Sequence, residues 1–212
     1  MDKINDYIFD NVKLIFWDFD GVIKESVNIK TTSFLELFKD INQEIKDKIQ
    51  IHHLKNGGVS RYEKIPLYLK LAGIPFDHNT LQKYYDRFHD IVIEKVIHSE
   101  WVPGVLEVLN SGSFNNVLVS ATPIEELNEI LDRINIKHLF TKIYGAPTNK
   151  VNAIEDFFSK FNHSKSESIF IGDSLVDKNA AEQCKVQFIL RKHEYSHDTL
   201  ENFKGKIIYN FL

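Results

Sequence analysis

Six short runs in this chain are apolar on both faces of an extended strand: Val12–Trp17, Val117–Ser120, Ile143–Tyr144 with its flanks, Ser168–Ile171, Val186–Leu190 and Lys206–Tyr209. A strand that must be apolar on both sides belongs inside a sheet covered on both faces, which is the situation of a parallel sheet. The later runs alternate with helical spacing. Val105–Leu109 follows Pro103-Gly104. Ile124, Leu127, Ile130, Leu131 and Ile134 recur at steps of three and four, as do Val151, Ile154, Phe157, Phe158 and Phe161. Strand followed by helix, repeated, predicts a doubly wound α/β core with a parallel, Rossmann-like sheet.

One stretch breaks the alternation. From about Asn28 to Ser99 no strand pattern is present, and four helical segments follow one another around Phe34–Ile41, Ile45–Leu54, Ile65–Leu69 and Leu81–Ile97. Roughly 70 residues of helix far exceed an ordinary strand-to-helix connection. They read as an inserted helical module, residues 27–100, on a core made of residues 1–26 and 101–212. Gly57-Gly58, Gly73-Ile74-Pro75 and Pro103-Gly104 punctuate the insertion.

A chain of 212 residues and 24.7 kDa has room for such a core and module. Its 26 Lys+Arg against 30 Asp+Glu give a net charge of -4, which excludes a broad basic face for nucleic acid. Cys184 is the single cysteine, so no internal disulfide forms and a reducing cytoplasm is the expected location. No apolar run approaches the ~18–20 residues of a membrane span. The stretch Met1–Asp10 mixes charges and does not read as a secretory leader.

The chemistry sits at strand ends. The first strand runs into Asp18-Phe19-Asp20-Gly21. In an open α/β sheet, ligands bind beyond the carboxyl ends of the strands. Two carboxylates two residues apart, before a glycine that frees the backbone for a tight turn, can attract a hard cation and divide nucleophile from proton carrier. A second acidic pair, Asp173 and Asp177 in Gly172-Asp173-Ser174-Leu175-Val176-Asp177, follows the Ser168–Ile171 strand. By itself that junction reads as a helix cap; with the first pair it points to a Mg²⁺ site. Ser120-Ala121-Thr122 offers hydroxyls and backbone N–H groups at an expected helix start. Lys150, just before the Val151–Phe161 helix, is the third of four polar strand-end stations.

These four stations in this order resemble the four motifs of the haloacid dehalogenase-like superfamily, and the helical insertion falls where its C1 caps lie. The stretches Asp18-Phe19-Asp20-Gly21-Val22 and Gly58-Val59-Ser60-Arg61 are most similar to the phosphatase and β-phosphoglucomutase group. The resemblance implies an aspartyl-phosphate enzyme. Asp18 is the nucleophile. Asp20 is the acid and base. Ser120, Ala121 and Lys150 hold the phosphoryl group, and Mg²⁺ is held by Asp18, Asp20 through its backbone carbonyl, Asp173 and, directly or in support, Asp177.

An acid at position 20 argues for phosphate rather than carbon–halogen chemistry. Mutases of this group carry Glu-Asp in the fourth motif and a His in the cap hinge. This chain has Gly172-Asp173 and Lys30, which favours a phosphatase acting on a small phosphorylated metabolite such as a sugar phosphate, as a monomer or small homo-oligomer without nucleic acid or membrane. The alternatives are a phosphosugar mutase and a non-catalytic binder that kept the fold. In the insertion, Arg61 follows the flexible Gly57-Gly58 pair and is expected to be aimed at substrate when the cap closes. The aromatic residues of the insertion read as core, Cys184 as a buried helix residue, and the histidines show no ligand spacing.

Overall fold

In the computed structural model, which describes residues 9–196 and 203–212, the six apolar runs become six strands. They are β1 (Leu14–Trp17), β2 (Asn115–Pro123), β3 (Lys142–Ala146), β4 (Ser168–Gly172), β5 (Gln187–Arg191) and β6 (Lys206–Ile208). All pair in parallel, in the order β3-β2-β1-β4-β5-β6. The charged stretch read as unlike a leader lies, up to residue 8, outside the described residues.

The both-face pattern has its expected cause. Successive side chains of a strand point to opposite faces. Ile15, Trp17, Leu118, Ile169 and Ile171 therefore enter one core cluster, and Leu14, Phe16, Val117, Val119 and Phe170 the other. The second cluster is closed by α7 (Lys150–Lys160) and α8 (Leu175–Cys184), through Ile154, Phe157, Ala180, Ala181 and the buried Cys184. The first is closed by α5 (Val105–Asn110) and α6 (Ile124–Arg133).

Between β1 and β2 lie the four helices read from the sequence: α1 (Val27–Leu37), α2 (Gln43–Lys55), α3 (Arg61–Leu71) and α4 (His78–Ile97). Three of them start on side-chain caps, Asn42, Ser60 and Asp77, whose oxygens accept backbone N–H bonds from Ile45, Tyr62 and Thr80. Phe34, Tyr68 and Phe88 pack ring against ring at their centre and continue the first core cluster without a break. The aromatic residues of the insertion are thus mostly core.

The two chain passages into and out of these helices lie side by side. Glu25 N–H bonds to the Glu100 carbonyl and Val102 N–H to that of Ile23, at 2.9 and 3.1 Å. Lys24 is buried between them. Its ammonium sits 4.2 Å from the centre of the Trp101 ring and donates to the Ile97 carbonyl. Arg191, at the end of β5, forms a two-pronged ion pair with Glu25. These contacts hold the helical segment over the carboxyl edge of the sheet.

One local expectation changes. Ser120-Ala121-Thr122 belongs to the strand, which continues to Pro123, and α6 begins only at Ile124. A proline pushes the residue before it toward extended backbone, and the pairing of β2 with β3 shifts register between Val119 and Pro123.

Candidate active site

The strand order reverses direction of growth at β1, which lies between β2 and β4. That reversal opens a crevice at the carboxyl ends, the usual ligand position in such sheets. Asp18 immediately follows β1 and Asp173 immediately follows β4. The register sets Trp17 beside Leu118 and Ile171, so Asp18 is level with Val119 and Gly172, and Ser120 and Asp173 emerge one residue further along the neighbouring strands.

The Lys150 ammonium lies 2.9 Å from Asp18 Oδ1 and also forms an ion pair with Asp177. Carboxylate oxygens of Asp18, Asp173 and Asp177 all fall within 4.8 Å of one another. Burial pushes the Asp18 carboxyl well above its ordinary range; Lys150 opposes this, while Asp177, Asp173 and Asp20 add to it. Burial likewise raises Asp173, against a hydrogen bond from His193 and with the repulsion of Asp177. Burial also disfavours the Lys150 charge, but Asp177 and Asp18 outweigh it and hold that ammonium above its usual value. Three clustered acids, Asp18 and Asp177 buried and Asp173 partly so, with the Lys150 ammonium among them are what a hard, oxygen-seeking dication would neutralise, so the donor set fits Mg²⁺.

Glycine makes the approach possible. A Cβ on Gly21, whose φ is +78°, would stand 2.5 Å from Asp173 Oδ2, so the turn after Asp20 can lie against Asp173 only without a side chain. Asp177 also completes the start of α8. Its Oδ2 accepts from Ser174 N–H and Oγ, and Ser174 Oγ accepts from Asp177 N–H. The capping and the site readings of this junction therefore both hold.

Asp20 is turned toward a different set of partners. Ser26 Oγ donates to Oδ1 at 2.6 Å, Thr122 Oγ1 to Oδ2 at 3.3 Å, and the Lys30 ammonium lies 3.2 Å from Oδ2. Burial favours the neutral acid, but Lys30 and these hydrogen bonds prevail and keep the carboxyl below its ordinary value. Ser120 is buried and its Oγ accepts from Thr122 N–H at 3.1 Å, which braces the end of β2. Asp18, Asp20, Ala121 and Thr122 line a cavity of ≈ 80 Å³, and Ser120, Ala121 and Lys150 line a neighbouring cleft of ≈ 440 Å³.

Arg61 reaches this cavity from the first turn of α3. It is not a solvated first-turn residue. Its guanidinium is buried 4.5 Å above the Phe88 ring and grips Glu126 of α6 with both prongs. His89 Nδ1 lies 2.8 Å from the same carboxylate. The Gly57-Gly58 loop rests on Ser174, where a Cβ on Gly58 would meet Ser174 Oγ at 2.7 Å.

Five residues at the site escaped the sequence reading, Ser26 beside Asp20 among them. His193 Nε2 donates to Asp173 Oδ2 at 2.9 Å. It lies two residues beyond β5, and applying the strand-end rule to that strand as well would have found it. Glu126, His53 and Lys64 are placed by helix packing and had no local signal.

The sequence matches the family model of the haloacid dehalogenase-like hydrolases over residues 15–191. No curated protein matches it. Among solved structures, a predicted phosphoglycolate phosphatase from Haemophilus somnus is similar, with 20% identity, a TM-score of 0.73 and 95% of each chain covered. A variant of CbbY from Rhodobacter sphaeroides in complex with xylulose-(1,5)bisphosphate has 13% identity, a TM-score of 0.74, and 94% of this chain and 95% of that one covered. The hydrolase YfnB from Bacillus subtilis, bound to magnesium, has 14% identity and a TM-score of 0.70 over the same shares. At these identities the structures speak for the fold, while the family match covers the acidic strand ends and most of the chain between and around them: the chain belongs to the haloacid dehalogenase-like hydrolases.

Proposed function

We propose that this protein is a Mg²⁺-dependent phosphatase of a small phosphate monoester, acting in the cytoplasm through an aspartyl-phosphate on Asp18. The observation that carries the reading is the cluster of Asp18, Asp173 and Asp177 at the reversal of strand order, with the Lys150 ammonium 2.9 Å from Asp18 Oδ1. A phosphoryl group passing between oxygens needs its charge neutralised and its line of attack fixed, and little else.

Asp18 supplies a carboxylate oxygen to phosphorus while the ester oxygen departs, taking a proton from Asp20. A water then attacks the phosphorus of the acyl phosphate, giving its proton to Asp20, and inorganic phosphate leaves with Asp18 restored. Lys150, the Ser120 hydroxyl and the Ala121 N–H are the groups for the phosphoryl oxygens. Asp18, Asp173 and the Asp20 carbonyl would hold the metal, with Asp177 anchoring Lys150 beside it. The bound dication supplies charge neutralisation to the phosphoryl oxygens and lets Asp18 stay ionised. Lys30, Ser26 and Thr122 favour the ionised form of Asp20 in the ligand-free site; the proton it hands to the leaving oxygen is taken up from solvent as the anionic substrate binds, and the carboxylate left behind is the base toward water. Residues 27–100 act as a cap that shields the acyl phosphate from bulk water. Arg61 is a proposed substrate contact whose guanidinium Glu126 holds in place.

The test is phosphate release from p-nitrophenyl phosphate with Mg²⁺. Activity in the wild type and its loss in Asp18→Asn is the expected result. Equal rates in both would overturn the nucleophile assignment.

A further inference from the structure

The cationic side chains that line the ≈ 80 Å³ cavity are Lys30, Arg61 and Lys64. Lys30 is paired with Asp20, and Arg61 with Glu126. Lys64 is 2% exposed and enters no ion pair among the described residues. Its ammonium bonds instead to His53 Nδ1 at 3.1 Å. It also stands 5.9 Å from the centre of the Phe34 ring. A buried ammonium without a carboxylate is costly, and here it faces a cavity that also holds Asp18 and Asp20.

His53 is the natural second half of this site. Burial first, and then the charges of Lys64, Lys30 and His52, push its imidazole well below the usual range, so it is neutral. With Nδ1 accepting from Lys64, the proton of a neutral ring sits on Nε2. Nε2 has no partner among the described residues, yet it is not among the side-chain atoms both sealed from solvent and unsatisfied. It is an open donor beside an open ammonium. Burial, reinforced by Lys30, lowers Lys64 itself to about 7, the state of a cation that lacks its anion.

We propose that the Lys64 ammonium and the His53 Nε2–H seat a second acidic group of the substrate. The natural substrate is then a compact phosphate monoester that also bears a carboxylate or a second phosphate. This rests on the phosphatase reading above. The phosphoryl group takes the Asp18–Lys150 end of the site and the second anion the Lys64–His53 end, so the two ends separate catalysis from selection. An anion at Lys64 completes a charge-assisted hydrogen bond to carboxylate or phosphate that its protein neighbours among the described residues leave unmade.

The experiment compares kcat/KM for three esters with one short backbone: 2-hydroxyethyl phosphate, 2-phosphoglycolate and ethane-1,2-diyl bisphosphate. One charged hydrogen bond corresponds to a preference of roughly 10- to 100-fold for an acid-bearing ester over the hydroxyethyl one. Preference for phosphoglycolate identifies the second group as a carboxylate, and preference for the bisphosphate as a phosphate. Lys64→Met and His53→Gln should each collapse that ratio toward one. The ratio is taken within each variant, so a general loss of folding or turnover does not imitate the effect. Equal kcat/KM for all three esters in the wild type, or a preference that persists in both variants, overturns the proposal. If the wild type hydrolyses p-nitrophenyl phosphate and Asp18→Asn does not, such a failure belongs to the Lys64 seat alone. If neither releases phosphate, the phosphatase reading has failed and this one with it.

Discussion

Arg61 and Glu126 form a two-pronged ion pair between α3 and α6, joining the helical insertion to the sheet-bearing core at the edge of the cavity that Asp18 and Asp20 line. The Arg61 side chain is 6% exposed and that of Glu126 is 3% exposed, so water does little to screen the pair. His89 adds a third contact to the carboxylate. A pair this enclosed is sensitive to losing one partner, because the survivor becomes an uncompensated buried charge.

Removing Arg61 should therefore be felt in stability as well as in catalysis. Arg61→Ala or Glu126→Ala alone is expected to cost about 3–5 kcal/mol, and Arg61→Met with Glu126→Leu to recover most of it. Urea unfolding of the three proteins measures this. If the double variant is as unstable as the sum of the singles, the pair is not the unit that matters.

Asp177 should be more costly to lose than a helix-cap residue usually is. It holds Lys150 and closes the capping box of α8 through Ser174. Asp177→Ala removes the cap contact and leaves Lys150 with Asp18 as its one carboxylate partner among the described residues. A loss of roughly 3–5 kcal/mol is expected, well above the ~1 kcal/mol of a cap alone. A loss no greater than that of a cap would reduce Asp177 to its capping role.

Asp173 should govern metal affinity with little effect on the fold. Calorimetric titration of Mg²⁺ into Asp173→Ala is expected to show at least 10-fold weaker binding, since a hard-cation site loses both charge and a ligand. His193→Ala should give a smaller loss of the same kind, on the order of 10-fold or less, because His193 only orients the Asp173 carboxylate. Unchanged Mg²⁺ affinity in both variants would remove the metal from this corner of the site.

Lys64 gives a pH-dependent stability term with a definite sign. Its folded-state value is lowered from 10.5 to about 7 by burial, so the unfolded chain binds the extra proton between those limits. The penalty is complete below about pH 7 and fades as the pH rises toward the unfolded value. Lys64→Met should thus stabilise the ligand-free protein by on the order of a few kcal/mol near pH 6, and by much less near pH 10. Denaturant unfolding at the two pH values decides it; a gain that does not shrink with rising pH would trace to packing rather than charge.

The sequence alone determined the class of fold and which strand-end residues meet at the proposed site, for a local reason. Strands buried on both faces must be apolar throughout, and such runs alternating with helix admit few arrangements. A polar residue that ends one of those runs is delivered to the carboxyl edge by the strand itself. Asp18, Ser120 and Asp173 could therefore be read in place, as could Lys150 at the start of the helix that follows β3, and so could the helical nature of residues 27–100. The tertiary structure decided the rest. Arg61 meets Glu126 across 65 residues of chain and Trp17 Nε1 donates to Asn116 across 99. Lys30 turns to Asp20, and Lys64 is left beside His53 without a carboxylate partner among the described residues. Those outcomes depend on which helix faces pack together, and the 3.6-residue period reports only that a face is apolar, not which charged neighbour another element will bring to its edge.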